Sequence, residues 1–169
     1  LFSILKNMYE SVKASVKSQG GVTSSFTSTC GVRQGCVLSP VLFVFFINEL
    51  VTEMYANCEN GIFVSQHIED ILLLLFADDV STFAFTVVGL QKQLNVIHSF
   101  CQKWGLQLNM KKTNIIVFRK GGIVSRKEKW HIGGTEVKTV TYYNYLGVLF
   151  SSSLKWTKAC ENIAKIGRA

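Results

Sequence analysis

The sequence lacks the features that define several common classes of small proteins. Its five cysteines are an odd number without a Cys-x-x-Cys pair, and its three histidines, His67, His98 and His131, have no metal-ligand spacing. Neither a disulfide framework nor a zinc site is therefore indicated, and reduced thiols inside a cell are expected. The longest apolar runs, residues 41–47 and 71–77, are far shorter than the roughly 20 residues that cross a bilayer. The sequence predicts no membrane span.

The composition fits one domain with a substantial core, because 48% of the 169 residues are hydrophobic. The chain opens on Leu1 without an initiator Met or a signal sequence, which predicts a fragment. Two interpretations stay open: a soluble protein with a rich core, or a piece whose apolar surface meets neighbours outside this sequence.

Charge is distributed unevenly along the chain. Residues 1–101 have a net charge of −3, residues 102–138 of +7 and residues 139–169 of +3. An acidic region followed by a basic one suits a protein that holds a metal ion next to a polyanion. A solvated lysine-rich surface is the commoner meaning of such a basic run taken alone.

Two adjacent carboxylates, Asp78 and Asp79, lie between two apolar, β-prone runs at residues 71–77 and 80–85. This pattern predicts a hairpin with the acidic pair at its turn. Neighbouring carboxylates repel each other, and a hard cation such as Mg²⁺ compensates that repulsion. The alternative is a surface turn that only ends a core hairpin.

The apolar periodicity predicts an α+β fold, an antiparallel sheet with two helices packed on one face. A first short helix should lead into a hairpin that turns at Gly20 and Gly21 and returns over residues 22–29. The two main helices are expected at about 40–55, with Ser39 as N-cap, and at about 88–104, ended by Gly105. Short strands are expected over 61–64, 115–118 and 145–150, a hairpin over 130–137, and a basic loop over 121–129.

Four motifs together resemble the reverse transcriptase of non-LTR (LINE-type) retrotransposons. They are GVRQGCVLSP at 31–40, FADD at 76–79, WGLQLN at 104–109 with KKT at 111–113, and YLG at 145–147. Each is weak alone, but their order and approximate spacing are specific. The resemblance implies that residues 1–150 are a partial palm of a right-hand polymerase, from motif B to motif E, and that residues 151–169 begin the thumb.

The resemblance also implies a catalytic role for the acidic pair, in motif C. Asp78 would be a ligand of Mg²⁺ or Mn²⁺ and Asp79 would lie beside the metals, in a two-metal nucleotidyl transfer to a primer 3′-hydroxyl. Phe76 stands where many relatives have Tyr, which argues against a retroviral assignment.

Three further sets of site residues follow from the same resemblance. The motif B loop would lie by the incoming nucleotide and template base, the motif D lysine near the triphosphate, and the motif E hairpin would grip the primer. These sets are Arg33, Gln34 and Gly35; Lys112, with Lys111 as the neighbouring candidate; and Tyr145, Leu146 and Gly147. Leu146 itself is expected to be a packing residue.

The implied partners are an RNA template, a DNA primer, deoxynucleoside triphosphates and the rest of a parent polyprotein. By family analogy, the protein is expected inside the cell, in the nucleus and in cytoplasmic ribonucleoprotein. Motif A, with a third carboxylate, and the fingers are expected upstream of this sequence, so the chain alone is predicted to be inactive. The alternatives are a decayed element copy that only binds nucleic acid through residues 102–138, a palm of another lineage such as an intron maturase or telomerase-like enzyme, and an unrelated α+β domain.

Overall fold

The computed structural model describes residues 2–28, 30–58, 61–66, 70–119 and 128–167. The chain divides into two compact units. The first comprises Leu1–Val51 and Leu75–Asp79, and the second comprises Thr52–Leu74 and Val80–Ala169.

The first unit begins with a helix and a bent hairpin, as predicted. Helix α1 is followed by strands that pair in two antiparallel ladders, β1 with β4 and β2 with β3. Their bounds are α1 Phe2–Glu10, β1 Val12–Ala14, β2 Lys17–Ser18, β3 Gly21–Val22 and β4 Phe26–Ser28. The returning strand is therefore interrupted, and a reciprocal pair of 3.0 Å hydrogen bonds between Val16 and Thr23 joins the two ladders.

Helix α2, Ser39–Asn57, is longer than predicted by one residue at its start and two at its end. Its first hydrogen bond runs from Leu42 N–H to the Leu38 carbonyl at 3.0 Å. The N-cap prediction for Ser39 is wrong by one residue, because the Ser39 hydroxyl donates to the Arg33 carbonyl at 2.6 Å instead of capping the helix.

The two faces of α2 differ in exposure. Ile47, Leu50 and Met54 are buried, as their spacing predicted, whereas Val44 and Phe45 are exposed, Phe45 to 75%. By length and composition alone, α2 is the one helix in the described ranges that would suffice to cross a membrane. A single such helix is weak evidence, since core helices of soluble proteins meet the same criterion.

The predicted acidic hairpin is present as strands β5, Leu73–Phe76, and β6, Asp79–Thr82. Beyond β6, Phe83 N–H donates to the Leu72 carbonyl at 2.9 Å. The strand expected over residues 61–64 is reduced to one antiparallel bridge between Ile62 and Ile71.

Helix α3, Val87–Trp104, follows the sequence prediction closely. The Thr86 hydroxyl caps its start by accepting a hydrogen bond from Gly89 N–H at 2.9 Å. Gly105 ends it in the left-handed conformation, with φ 65°. Both ends therefore follow from their cap residues.

A core cluster in the second unit lies between α3 and short strands. Strand β7 pairs in parallel with β10, β8 pairs with β9 in the predicted hairpin, and the Trp130 indole N–H donates to the Val87 carbonyl at 3.1 Å. The strands are β7 Asn114–Ile116, β8 His131–Ile132, β9 Thr135–Glu136 and β10 Lys138–Val140. The buried members of the cluster are Leu94, Ile115, Trp130, Ile132 and Val137.

The single strand expected over residues 145–150 is wrong. The segment forms a hairpin of β11, Tyr142–Tyr145, and β12, Val148–Ser151, and helix α4, Thr157–Ile166, contacts β12. Leu146 (φ 49°) and Gly147 (φ 83°) form the turn. Two consecutive residues with positive φ define the turn type that best matches strand twist, and the apolar pattern did not reveal it.

The expected single antiparallel sheet is also not what the described segments form. Their strands pair two by two, and the β7–β10 pair is parallel. A β-prone pattern identifies extended segments but does not determine their pairing partners. Most of the predicted basic loop at 121–129 lies outside the described residues.

Candidate nucleotidyl-transfer site

The acidic pair lies at the tip of the β5–β6 hairpin. Ala77 and Asp78 form the turn, Asp79 is the first residue of β6, and both carboxylates are exposed. Ala77 has φ 51°, a left-handed conformation that is uncommon for a residue with a side chain. The backbone thus bends sharply at the carboxylates, which are displayed as the sequence predicted.

The donor chemistry of this turn fits a hard cation. Two adjacent carboxylates offer oxygen ligands of the type that Mg²⁺ takes. Within the described ranges, no group of three or more His, Cys, Asp or Glu side chains comes together as a metal site. Asp78 and Asp79 could therefore supply only part of a ligand set for such a cation.

Gly35 gives the motif B loop its shape. Cys36 N–H donates to the Arg33 carbonyl at 3.3 Å, so Gln34 and Gly35 are the central residues of a four-residue turn. Gly35 has φ 79°, the value that the third position of a type II turn requires and that glycine adopts without strain. Gln34 is exposed at this turn.

Helix α1 holds the same loop in place. The Arg33 guanidinium donates from Nη2 to the Met8 carbonyl at 2.6 Å and lies 5.9 Å from the centre of the Tyr9 ring. The Tyr9 hydroxyl lies 3.2 Å from Ser39 Oγ and 3.5 Å from Cys36 Sγ. Sequence reasoning missed this network, because nothing in residues 1–10 indicates that they contact a loop 25 residues away.

That network lowers the pKa of the Cys36 thiol. The hydrogen bond with Tyr9 is the largest cause, followed by backbone hydrogen bonding at Leu38, and together with Ser39 they lower the pKa of the Cys36 thiol to about 7. By contrast, burial raises the pKa of the Cys101 thiol. The half-buried Cys36 is therefore the more nucleophilic of the two at neutral pH.

Lys111 and Lys112 occupy an exposed turn before β7. Lys112 N–H donates to the Asn109 carbonyl at 3.0 Å, and the Lys112 carbonyl accepts from Asn114 Nδ2 at 2.8 Å. Tyr143 of β11 also donates to the Lys112 carbonyl, at 3.4 Å. The structure thus brings the predicted motif D turn against the predicted motif E hairpin.

The motif E residues form the β11–β12 turn. Tyr145 ends β11, and Leu146 and Gly147 form the reversal. Leu146 is 50% exposed, so its expected packing role is wrong. A side chain at the tip of a tight turn points away from the strand faces, and a partner can therefore contact it.

Gln93 is a structural residue that sequence reasoning missed. It is only 2% exposed; its Oε1 accepts from the Thr82 hydroxyl at 2.7 Å, and its Nε2 donates to the Phe83 carbonyl at 2.8 Å. These bonds join α3 to the end of β6. A signal was available, because residue 93 falls on the same helical face as Leu90 and Ile97, where a polar residue requires a buried partner.

Comparison with known proteins assigns the class that the hairpin and its acidic pair suggest. The family model described as reverse transcriptase (RNA-dependent DNA polymerase) matches residues 2–150. The chain therefore belongs to the reverse transcriptase family.

Curated relatives narrow the similarity to particular mobile elements. The chain is 29% identical, over 88% of its length, to the Pol polyprotein of the type-2 retrotransposable element R2DM of Drosophila melanogaster. It is 25% identical, over 94%, to the RNA-directed DNA polymerase of the mobile element jockey of Drosophila funebris. It is 30% identical, over 72%, to the Pol polyprotein of a type-1 R2 element of Nasonia vitripennis. The chain spans only 14%, 17% and 12% of these relatives' own lengths.

Proposed function

We propose that this chain is palm sequence of the RNA-directed DNA polymerase of a non-LTR retrotransposon. One observation carries the proposal: Asp78 and Asp79 lie exposed at a hairpin turn, inside the segment that matches the reverse transcriptase family. The similarity to R2 and jockey elements supports the element class. The proposed partners are an RNA template, a DNA primer, deoxynucleoside triphosphates and the rest of a larger polyprotein.

The acidic pair has the central role in the proposed reaction. Asp78 would hold a divalent cation through its carboxylate, and Asp79 would add negative potential beside it. When bound, Mg²⁺ or Mn²⁺ activates the primer 3′-hydroxyl and neutralises charge on the leaving pyrophosphate. Exposure of both side chains leaves room for the cation and for a triphosphate.

The other three turns that match the family's motifs act on the nucleotide and the primer. The Gln34–Gly35 turn contacts the incoming nucleotide, and Arg33 has N–H donors beyond the one bonded to Met8 with which to contact a phosphate. Lys112 supplies an ammonium group to the pyrophosphate as it leaves. Tyr145, Leu146 and Gly147 contact the primer strand.

We propose that the isolated chain does not extend a primer. Its described residues supply two carboxylates at the turn and no complete metal cluster, and the chain spans less than a fifth of the relatives' lengths. Activity then requires other segments of the parent protein. A nuclear and cytoplasmic ribonucleoprotein location is proposed on the same family grounds.

Paramagnetic Mn²⁺ tests the metal site directly. Titrated into the isotopically labelled chain, Mn²⁺ should broaden the amide signals of Asp78, Asp79 and their neighbours first. Asp78→Asn should weaken that broadening by about tenfold in Mn²⁺ concentration, because a ligand charge is lost. Asp70→Asn is the matched control, since it removes the same charge elsewhere and should leave the broadening unchanged.

Two results would contradict the proposal. One is broadening centred away from the hairpin or equal in the Asp78→Asn variant. The other is primer extension by the isolated chain, if Asp78→Asn abolishes it. That result would show that the chain alone is sufficient for polymerase activity. Salt-sensitive RNA binding without any metal site would favour the alternative, a decayed copy that only binds nucleic acid.

A further inference from the structure

Three aromatic rings from separate segments of the chain form a contiguous row at β12 and the start of α4. The Phe118 and Phe150 ring centres are 6.5 Å apart, and those of Phe150 and Trp156 are 5.7 Å apart, both in edge-to-face geometry. Phe118 is 41% exposed and Trp156 is 53% exposed. We call these three residues the aromatic row.

The row is fixed by its surroundings although it is exposed. Arg119 N–H donates to the Ser152 carbonyl at 2.9 Å, which holds the Phe118 segment against the end of β12. Trp156 directly precedes α4, and this helix contacts β12. Ala159, in the first turn of α4, is buried. Edge contacts restrict the orientation of the Trp156 ring, while more than half of its surface stays accessible.

Basic groups flank the row. Lys155 and Lys158 are exposed on either side of Trp156 in sequence, and the Lys158 ammonium lies 4.2 Å from the centre of the Tyr142 ring. Residues 139–169 include four basic residues and one acidic residue, Glu161. Exposed rings with adjacent cations match the two parts of a nucleotide, a flat base and a phosphate.

We propose that the aromatic row, with Lys155 and Lys158, binds single-stranded nucleic acid. Trp156 stacks on an unpaired base, and the two lysines contact the phosphates on either side of it. This proposal depends on the proposed function in one respect, which is that the protein has a nucleic-acid partner. It assigns binding to residues outside the four motifs, to which the resemblance gives no role.

A second exposed tryptophan provides a matched control. Trp104 is 42% exposed and contacts a phenylalanine, Phe100, with ring centres 6.3 Å apart. Its neighbour Lys103 lies 5.4 Å from the centre of the Trp104 ring and forms a 2.9 Å ion pair with Glu53. Lys103 lies over the Trp104 ring and is paired with the Glu53 carboxylate, so this ring is a poorer surface for stacking beside a phosphate.

Oligonucleotide affinity tests the proposal on the isolated chain. A fluorescently labelled 12-nucleotide oligouridylate or oligothymidylate is titrated with protein in the absence of divalent cations, and anisotropy gives Kd. Trp156→Leu should weaken binding at least about fivefold, the loss expected for one stacked base. Trp156→Phe should retain most of the affinity, and Trp104→Leu should change it less than twofold.

The lysines are tested through salt dependence. Lys155→Gln and Lys158→Gln should each reduce the slope of log Kd against log salt concentration by about 0.7, as expected for one phosphate contact with a single strand. Unchanged thermal unfolding of each variant confirms that binding, rather than folding, has changed.

Three outcomes would overturn the proposal: wild-type affinity in Trp156→Leu, equal losses in Trp104→Leu and Trp156→Leu, or oligonucleotide binding that depends on the lysines alone. If Trp156→Leu unfolds, the fluorescence of Trp156, obtained as the difference between the parent chain and Trp156→Phe, decides instead. Base-dependent quenching of that fluorescence by the oligonucleotide, together with wild-type affinity in Trp156→Phe, would support the proposal. Absence of quenching would contradict it. The oligonucleotide assay contains no divalent cation. Its failure is therefore distinct from a failure of Mn²⁺ to bind at Asp78.

Discussion

At the scale of single residues, the most consequential contact lies between Tyr9 and Cys36. It joins the end of α1 to the turn that contains Gln34 and Gly35, with 3.5 Å between the hydroxyl oxygen and the sulfur. A thiol whose pKa is lowered is deprotonated, and therefore reactive, at a pH where ordinary thiols are not. The reactivity of the Cys36 thiol therefore depends on the contact between this loop and α1.

We expect the alkylation of Cys36 by iodoacetamide to rise through a midpoint at about pH 7, the pKa of its thiol. Tyr9→Phe should shift that midpoint upward, because the largest cause of the lowered pKa is removed. Peptide mapping by mass spectrometry gives the rate at each cysteine. Cys101 is the internal control, since burial raises the pKa of its thiol. A midpoint unchanged by Tyr9→Phe would mean that the hydroxyl does not act on Cys36.

At the scale of secondary-structure elements, Gln93 connects α3 to the end of β6. Gln93→Leu should lower the free energy of unfolding by about 1–3 kcal/mol, because the Phe83 carbonyl loses the Gln93 amide and the Thr82 hydroxyl keeps only the Leu72 carbonyl. Lys92→Ala, on the exposed neighbouring position, should change it by less than about 0.5 kcal/mol. Denaturant unfolding measures both. Equal stabilities of the two variants would show that the buried amide is not a structural connection.

The β11–β12 turn contains a residue that is unfavourable for stability. Leu146 has φ 49° and is half exposed. Leu146→Asn should raise the free energy of unfolding by about 0.5–1 kcal/mol, since Asn tolerates this conformation and Asn-Gly is the preferred sequence for such a turn. Leu106→Asn, at a residue without positive φ, should give no gain. A destabilised Leu146→Asn would show instead that the leucine packs.

The elements also show which parts of the fold are predictable from sequence. Helix α3 was predictable because its cap residues, Thr86 and Gly105, act within a few residues of its ends. The β11–β12 hairpin was implied by the family resemblance but not by the residue pattern, because the strand-like pattern continues through Tyr145 and Leu146 while the backbone reverses. Pairing of β7 with β10 joins residues 24 apart, which no local pattern encodes.

At the scale of the whole molecule, the candidate site was only partly predictable. The position of the acidic pair followed from its apolar flanks, and the structure places it at a hairpin turn. The contacts that hold Arg33 and Lys112 could not be predicted from the sequence, because their partners, Met8 and Tyr143, are distant in sequence. Exposed apolar side chains on α2, such as Phe45, further suit a segment of a larger protein.

RNA-templated DNA synthesis by a chimera measures whether this chain can serve as the palm of a reverse transcriptase with Asp78 as a metal ligand. Residues 2–150 would replace the matched segment of the R2DM Pol polyprotein, which supplies the remaining parts of the enzyme. We expect the chimera to extend a DNA primer in a Mg²⁺-dependent reaction, and we expect Asp78→Asn to lower that activity at least about 100-fold, because a metal ligand is removed. An Asp78→Asn chimera as active as the unsubstituted one would contradict that role of Asp78.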